Sequence, residues 1–402
     1  MTAMRLSRVL ELAKDFFRRA DTLLFALCMI CSVYGLVVIS SATATSNEGS
    51  AQYVLIQIVA LLLGIGLFIA FTVLDIDLIA DKWPILAIAG VALLLILIPF
   101  GVADNTGNKS WLRFLGIGIQ PSEIVKVIFV VTLSKHISYL KRYKNLNHVL
   151  SVLQLAVHFI IPFGLVVVIS ADLGSALIFL FIFVVLLFLA GLAFYWFIIG
   201  AAGVAAVVPL MWDYFLRDDQ KNRILAPYGP SVDPSGSGVL WQTHPDIDPT
   251  GNDVLWQTNQ SRLALASGQL WGTGLGNGPQ TQSQAVPAQQ TDFIFAVIGE
   301  ELGMIGCCAV ILLLLLVILR CVTVGLRSKN TLSMLVCCGV GATVLFQTFI
   351  NIGMCTGLTP VIGLTLPFFS YGGSSVFSMF AAMGLVSGIK FRPKAERFHL
   401  YE

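Results

Sequence analysis

The sequence predicts an all-α polytopic membrane protein with about ten transmembrane helices and a large extracytoplasmic loop between helices 7 and 8. Three observations carry that expectation. Of 402 residues 57% are hydrophobic and only 11% charged, too little charge to cover a water-soluble domain of this size. The apolar residues gather in runs of roughly 20, the length that a helix rising about 1.5 Å per residue needs to cross about 30 Å of hydrocarbon. Lys and Arg, finally, crowd into segments that would share one side of a membrane.

Taken in order, residues 1–21 are basic and amphipathic without a small-residue cleavage site, and read as a retained cytoplasmic segment. Crossings follow near 22–42, 53–74, 84–101, 121–140, 149–170, 173–192, 194–211, 292–319, 331–355 and 369–390. The joints at Asp172 and at 190–195 are so tight that hydropathy alone gives eight to ten. Residues 212–291 form the extracytoplasmic loop and 391–402 a cytoplasmic tail, so 1–402 makes one membrane domain. With ten crossings, 17 basic residues share the side of both termini, and six (Lys109, Arg113, Arg217, Lys221, Arg223 and Arg262) lie opposite, with Lys126 inside a crossing. The excess marks the termini as cytoplasmic.

The eight cysteines lie in or beside apolar runs, which points to neither a disulfide framework nor a metal cluster. Cys28-x-x-Cys31 is a pair of small packing residues on this reading. The basic residues follow the membrane rule and build no single stripe, which argues against nucleic acid as a partner. Inside the loop, Asp233–Thr243 is echoed by Asp248–Thr258, a local duplication that lengthens the loop. The run Gly272-Thr273-Gly274-Leu275-Gly276-Asn277-Gly278 lacks the strand and helix of a dinucleotide fingerprint and reads as tight turning at the membrane surface.

Four polar constellations fall at outer helix ends. The first runs from Lys109 through Trp111 to Gln120-Pro121-Ser122-Glu123 and Lys126. Pro121 suits a first helical turn, Glu123 favours the positive end of the helix dipole, and Glu123 and Lys126, three apart, share a face. They are an ion pair at the membrane edge or a functional pair facing a polar cavity. The second is Ser170-Ala171-Asp172-Leu173-Gly174-Ser175, where Asp172 reads as a helix cap. The third is Gln289-Gln290-Thr291-Asp292 followed by Glu300-Glu301; Asp292 is a cap or a functional carboxylate. The two glutamates inside an apolar helix point to catalysis, cation binding or proton movement. The fourth ends in Leu366-Pro367 and Ser370-Tyr371-Gly372-Gly373-Ser374-Ser375, either close helix packing or a helix N-terminus suited to a diphosphate.

These strings, together with Gln260-Ser261, Gly272-x-Gly274, Thr291-Asp292-Phe293, Glu300-Glu301-Leu302-Gly303 and Asn351-Ile352-Gly353, closely resemble the SEDS family of RodA-like and FtsW-like proteins, nearer to the RodA branch. The resemblance runs nearly the whole chain, in order. It implies a peptidoglycan glycosyltransferase that polymerises lipid II at the outer face of the cytoplasmic membrane. Residue by residue, the family's essential acid falls on Asp292, its tryptophan and lysine on Trp111 and Lys126, and its loop arginine on Arg223. Substrate contacts are expected from Trp111, Gln120, Ser122, Glu123, Lys126, Asp172, Arg223, Gln260, Ser261, Glu300 and Ser370, Tyr371, Gly372, Gly373, Ser374 and Ser375. The implied partners are lipid II, membrane lipid and a class B penicillin-binding protein transpeptidase. The chain departs from the family at Pro287-Ala288, where Pro-Glu is usual, and at Ser170-Ala171, where Gln-Pro is usual.

Such a reaction needs a base for the acceptor hydroxyl, the role Asp292 would fill. The leaving diphosphate needs its charge neutralised, by Lys126, Arg223 or a divalent cation such as magnesium or manganese. Direct displacement at an α-linked donor inverts it to a β linkage. The rival reading from the same residues is a lipid-linked precursor flippase or an ion-coupled transporter, its route lined by Glu123, Lys126, Glu300 and Glu301. A third is a noncatalytic scaffold for a cell-wall synthase.

Overall fold

The computed structural model describes residues 18–45, 50–102, 109–114, 117–214, 221, 224, 254–328 and 330–391. The N-terminal segment before residue 18, most of the loop duplication, Arg217, Arg223 and the tail beyond Phe391 lie outside the described residues.

Helix α1 (Thr22–Ala42) starts where the Asp21 side chain accepts the Leu24 amide. It is followed by α2 (Ser50–Val73), the short α3 (Ile76–Asp81), and α4 (Trp83–Leu95) continued by α5 (Leu97–Phe100). Two three-residue strands, β1 (Leu112–Phe114) and β2 (Ile117–Ile119), pair antiparallel with Arg113 opposite Gly118. Then come α6 (Pro121–Tyr143), α7 (Val149–Leu165) ending in a wide π turn at Val166–Ser170, α8 (Leu173–Ala190) and α9 (Phe194–Tyr214). The second half holds α10 (Val254–Ser267), the short α11 (Pro279–Gln282), α12 (Ile294–Arg327), α13 (Thr331–Thr356) and α14 (Gly373–Phe391).

Nine helices among the described residues are long and apolar enough to cross a membrane. The tenth expected crossing is α6, whose 23 residues match the others in length but carry Glu123, Lys126, Lys135, Lys141 and Arg142. The protein is thus a multi-pass, all-α membrane protein, with the bounds of several crossings shifted: α9 runs on to Tyr214, and α12 begins at Ile294 and extends to Arg327.

Burial separates the crossings. In α13 and α14 more than two thirds of the apolar window is buried inside the protein, and in α9 none is, so α13 and α14 form the centre and α9 the rim. Central packing depends on small residues. A Cβ on Gly384 would lie 2.7 Å from the Phe68 carbonyl oxygen, so α14 lies backbone to backbone on α2.

The alternation of crossings gives the bundle two ends. At the one bearing the described termini, Asp21 is fully buried and takes Arg320 Nε at 2.8 Å and Lys390 Nζ at 3.5 Å, joining α1, α12 and α14. The other, the loop end, gathers the four polar constellations.

Candidate functional site

The first two constellations form a single cluster. The β1–β2 hairpin lays the Trp111 indole over Gly118, where a Cβ would stand 3.1 Å from Trp111 Cε3. Pro121 occupies the first turn of α6 and leaves Glu123 and Lys126 one turn apart on its buried face. Lys126 Nζ donates to Glu123 Oε1 at 2.7 Å, and both side chains are almost wholly buried. Gln120 Nε2 donates to Asp172 Oδ2 at 2.9 Å, while Asp172 Oδ1 accepts the Ser175 amide at 2.9 Å. Asp172 therefore does cap α8, as its position suggests, and its second oxygen ties that cap to the head of α6. The Ser175 hydroxyl donates to Ser122 Oγ at 3.3 Å and Ser110 Oγ to the Ser170 carbonyl at 3.0 Å, closing the cluster. Burial pushes the Asp172 carboxyl above the ordinary aspartate range, opposed by its bonds from Ser175 and by the Lys126 charge.

Asp292 lies across a short strap from this cluster. The chain enters α12 through a turn in which the Ala288 carbonyl accepts the amides of Thr291, Asp292 and Phe293. The cap position is Phe293, with no side chain bonded there, so Asp292 is not the helix cap that its place before an apolar run suggests. Its backbone carbonyl accepts Asn351 Nδ2 at 2.8 Å, and Asn351 also donates to the Leu364 carbonyl at 2.7 Å. The Asp292 carboxylate is half-buried and faces Gly363, with Oδ2 3.6 Å from where a Cβ would stand. On the strap's other side a Cβ on Gly174 would lie 2.7 Å from the Ile362 carbonyl oxygen. Consecutive residues of the strap thus touch the head of α8, through Ile362, and Asp292, through Gly363.

Glu300 and Glu301 are held differently. Glu300 Oε1 accepts the Gln280 amide at 2.8 Å and Ser267 Oγ at 3.3 Å, and Oε2 accepts the Thr281 amide at 2.8 Å and its hydroxyl at 2.6 Å. Glu301 takes Ser41 Oγ at 2.5 Å and Gln282 Nε2 at 3.1 Å. This corrects the expected substrate contact at Glu300: both carboxylates anchor the chain's own loop. The glycine run does turn tightly, with Gly272, Gly274 and Gly276 at positive φ, and its turns fit into a break in a helix. Helix α12 breaks at Gly303 (φ 68°, ψ −166°), and residues 268–274 splice into the break. Thr273 and Gly274 amides donate to the Glu300 and Glu301 carbonyls at 2.9 and 3.0 Å, and the Met304 amide donates to the Gln269 carbonyl at 2.9 Å. Helical groups freed by the break are thus satisfied by the loop that fills it. Gly272, at φ +80°, passes so close that a Cβ would lie 2.2 Å from the Glu301 carbonyl oxygen.

The fourth constellation braces the Asp292 turn. Ser370 Oγ donates to the Thr291 carbonyl at 2.6 Å and accepts the Leu366 amide at 2.7 Å. The Tyr371 amide donates to the Gln290 carbonyl at 2.8 Å, and the Tyr371 ring stands edge-on to Tyr53, centroids 5.0 Å apart. Gln57 grips the bend from α2, Nε2 donating to the Ser370 carbonyl at 3.1 Å and Oε1 accepting the Gly372 amide at 3.2 Å. Gly373, Ser374 and Ser375 open α14, with Ser375 Oγ 3.3 Å from Thr365 Oγ1. Ser370 and Gly372 thus support the acid's turn, while the first turn of α14 keeps the N-terminal geometry suited to a diphosphate. Ser261 donates to the Cys355 carbonyl at 2.9 Å and docks α10, which carries the half-buried Gln260, on α13. Arg223 lies outside the described residues.

Sequence reasoning passed over Gln57, Ser41 and the pinning role of Gln289, whose Nε2 donates to the Ala42 carbonyl at 2.6 Å and the Thr281 carbonyl at 3.1 Å. A lone amide inside an apolar crossing is the signal that marks Gln57. Among the described residues no three His, Cys, Asp or Glu side chains converge to hold a metal, the Glu300 oxygens are saturated by protein donors, and Glu123 is paired with Lys126.

The family model for cell cycle proteins of the FtsW, RodA and SpoVE type matches residues 21–394. The chain is 32% identical over 312 residues to the peptidoglycan glycosyltransferase MrdB of Escherichia coli, covering 77% of this chain and 78% of that protein. It is 31% identical over 402 residues to the peptidoglycan glycosyltransferase RodA of Mycobacterium tuberculosis, covering 94% and 79%. Among solved structures it superposes with a TM-score of 0.73 on a chain of a peptidoglycan synthase complex that coordinates polymerization and crosslinking, at 26% identity and over 92% of this chain and 97% of that one.

Proposed function

The chain belongs to the FtsW/RodA/SpoVE family, and from that premise we propose how its site works as a peptidoglycan glycosyltransferase. The substrate is lipid II, taken from the membrane with its polyprenyl tail between apolar helices and its sugars at the loop end. That end is the outer face of the cytoplasmic membrane, and both termini are cytoplasmic, in accord with the basic residues that crowd the terminal end.

The observation that carries the mechanism is the Ile362–Gly363 strap, with the Asp292 carboxylate on one flank and the Asp172–Gln120 cluster beside Lys126 on the other. Asp292 accepts the proton of the acceptor hydroxyl as that oxygen attacks the donor's anomeric carbon, and the bond to the diphosphate breaks on the opposite face, inverting the centre. The half-exposure of Asp292 supports this, because a base must reach both its substrate and water. The departing diphosphate carries its own negative charge and needs neutralisation more than a proton. Lys126 and the open amides of Gly373–Ser375 supply it. Lys126 is buried and held in place by Glu123, which offsets part of its charge and fixes the aim of the ammonium that remains to meet an anion. The protein works beside a crosslinking partner, a class B penicillin-binding protein transpeptidase, as the peptidoglycan synthase complex suggests by likeness.

The test is purified protein in detergent with labelled lipid II. Polymer from the wild-type chain and none from a well-folded Asp292→Asn variant is the expected result. A flippase makes no glycan without a membrane and a scaffold makes none at all, so absence of wild-type polymer would overturn the reading.

A further inference from the structure

Three polar side chains on three helices that pack against one another lie fully inside the protein with atoms that bond to no protein group. They are Glu123 Oε2 on α6, both amide atoms of Gln347 on α13, and Ser374 Oγ at the head of α14. Gln347 is 0% exposed, Ser374 1% and Glu123 4%. A buried donor or acceptor left unmade costs about 1–3 kcal/mol, so three together at the meeting of three helices call for a common explanation.

Helix register brings them together. Gly339 on α13 meets α6 at Val130, its ideal Cβ 2.8 Å from Val130 Cγ1. The two helices run antiparallel, α6 away from the loop end and α13 toward it. Eight residues toward the loop end, about 12 Å along each axis, α13 reaches Gln347 while α6 reaches Ser122, next to Glu123. The orphaned amide and the orphaned carboxylate oxygen therefore stand at one level on facing helices. Helix α14 packs against both α6 and α13 and begins with Gly373-Ser374. The chemistry is complementary: Glu123 Oε2 can only accept, Gln347 donates through Nε2 and accepts through Oε1, and Ser374 carries a hydroxyl proton.

We propose that Gln347 is a positioning residue for the Glu123–Lys126 pair. Its amide N–H holds Glu123 Oε2 across one water, and its carbonyl takes the Ser374 hydroxyl. A polar chain then runs from Ser374 through Gln347 and Glu123 to Lys126 Nζ, coupling the helix end that receives the diphosphate to the ammonium that neutralises it. Polar chains of this kind fix side-chain aim when every member is satisfied. The other charged groups on the packed elements are Asp172 at the head of α8 and Asp292, whose carbonyl is held by Asn351 one turn from Gln347; the first two turns of α14 bring hydroxyls and no charge.

The activity part of the test rests on the glycosyltransferase reading, and wild-type polymer is its control. Gln347→Met keeps the volume and removes both hydrogen-bonding atoms; it should lower kcat about tenfold while KM for lipid II moves little. Gln347→Glu sets a second carboxylate against Glu123, so a shared proton must replace the amide proton. That variant should approach wild-type rate at acid pH and lose it as pH rises, a profile that a purely structural glutamine would not produce. A readout independent of activity is the thermal double-mutant cycle of Glu123→Gln with Gln347→Met, where the paired variant should lose less Tm than the two single losses combined. The proposal is overturned by wild-type kcat in Gln347→Met together with a wild-type pH profile in Gln347→Glu, or by fully additive Tm shifts. If the wild-type chain makes no polymer, the glycosyltransferase reading fails and the thermal cycle alone decides the proposal.

Discussion

Helix α12 carries carboxylates in two places, at its mouth and two turns inside, and they have opposite circumstances. Asp292 sits just before the helix, half-exposed, its backbone held by Asn351 and its carboxylate turned to the Gly363 strap. Glu300 is wholly buried and accepts four hydrogen bonds from Ser267, Gln280 and Thr281. An acid within an apolar run looks alike in both places when read as sequence. What separates them is setting: Glu300 is wholly buried with both oxygens bonded by its own loop and has become part of the scaffold, while Asp292 is half-exposed at the mouth of the helix. The scaffold acids also serve the exposed one, because the loop they anchor leads directly into the turn that carries it.

The comparison breaks first at Asp292. Asp292→Asn keeps shape and removes the base, so polymerisation of lipid II should fall by about 10²–10⁴-fold with an unchanged Tm in detergent. A variant that polymerises at the wild-type rate would move the chemistry elsewhere. Next come the members of the buried pair. Lys126→Met leaves Glu123 buried and unpaired, at a cost of about 3–5 kcal/mol. The double variant Glu123→Gln/Lys126→Met should recover most of that Tm while staying inactive. Recovery of activity with stability would make the pair a structural bridge only.

Smaller effects are expected two turns inside α12. Glu300→Gln keeps size but weakens charge-assisted bonds worth about 1.5–3 kcal/mol each, so Tm should drop clearly and activity about tenfold, as expected for a displaced turn rather than a lost base. Gly272→Ala attacks the same splice from the other partner, combining a left-handed backbone cost of about 1–2 kcal/mol with a Cβ 2.2 Å from the Glu301 carbonyl. If either change abolished polymer while leaving Tm intact, the inner acids would belong to the chemistry after all.

Nine crossings were legible among the described residues because length and apolarity fix them, and α6 was legible as a helix of matching length despite its charges. The Asp172 cap was legible from local pattern. The break at Gly303 was not, since a glycine in a helix looks ordinary until the loop that fills the gap is known. Helix α10 escaped notice because it buries Thr258, Ser261 and Ala264, a stripe of small residues with no apolar signal. The union of Gln120 with Asp172 and the bracing of Ser370 by Gln57 join residues far apart in the chain, which no spacing reveals.

The smallest expected effect on activity lies at the far end of the bundle, where Asp21 is buried beneath Arg320 and Lys390 and accepts the Leu24 amide. Asp21→Asn retains an oxygen for that amide but leaves the two cations without their counter-charge. Arg320 is partly exposed, so water takes up some of the loss, and the cost falls below the range for a fully buried pair. Tm should fall by several degrees, while polymerisation measured well below Tm stays at the wild-type rate, because none of these groups touches the loop-end cluster. If the rate dropped in step with Tm even in the cold, α12 and α14 would be transmitting the state of one end to the other. The contrast between scaffold acids and reactive acid would then have to be drawn over the whole length of the bundle rather than within the first turns of one helix.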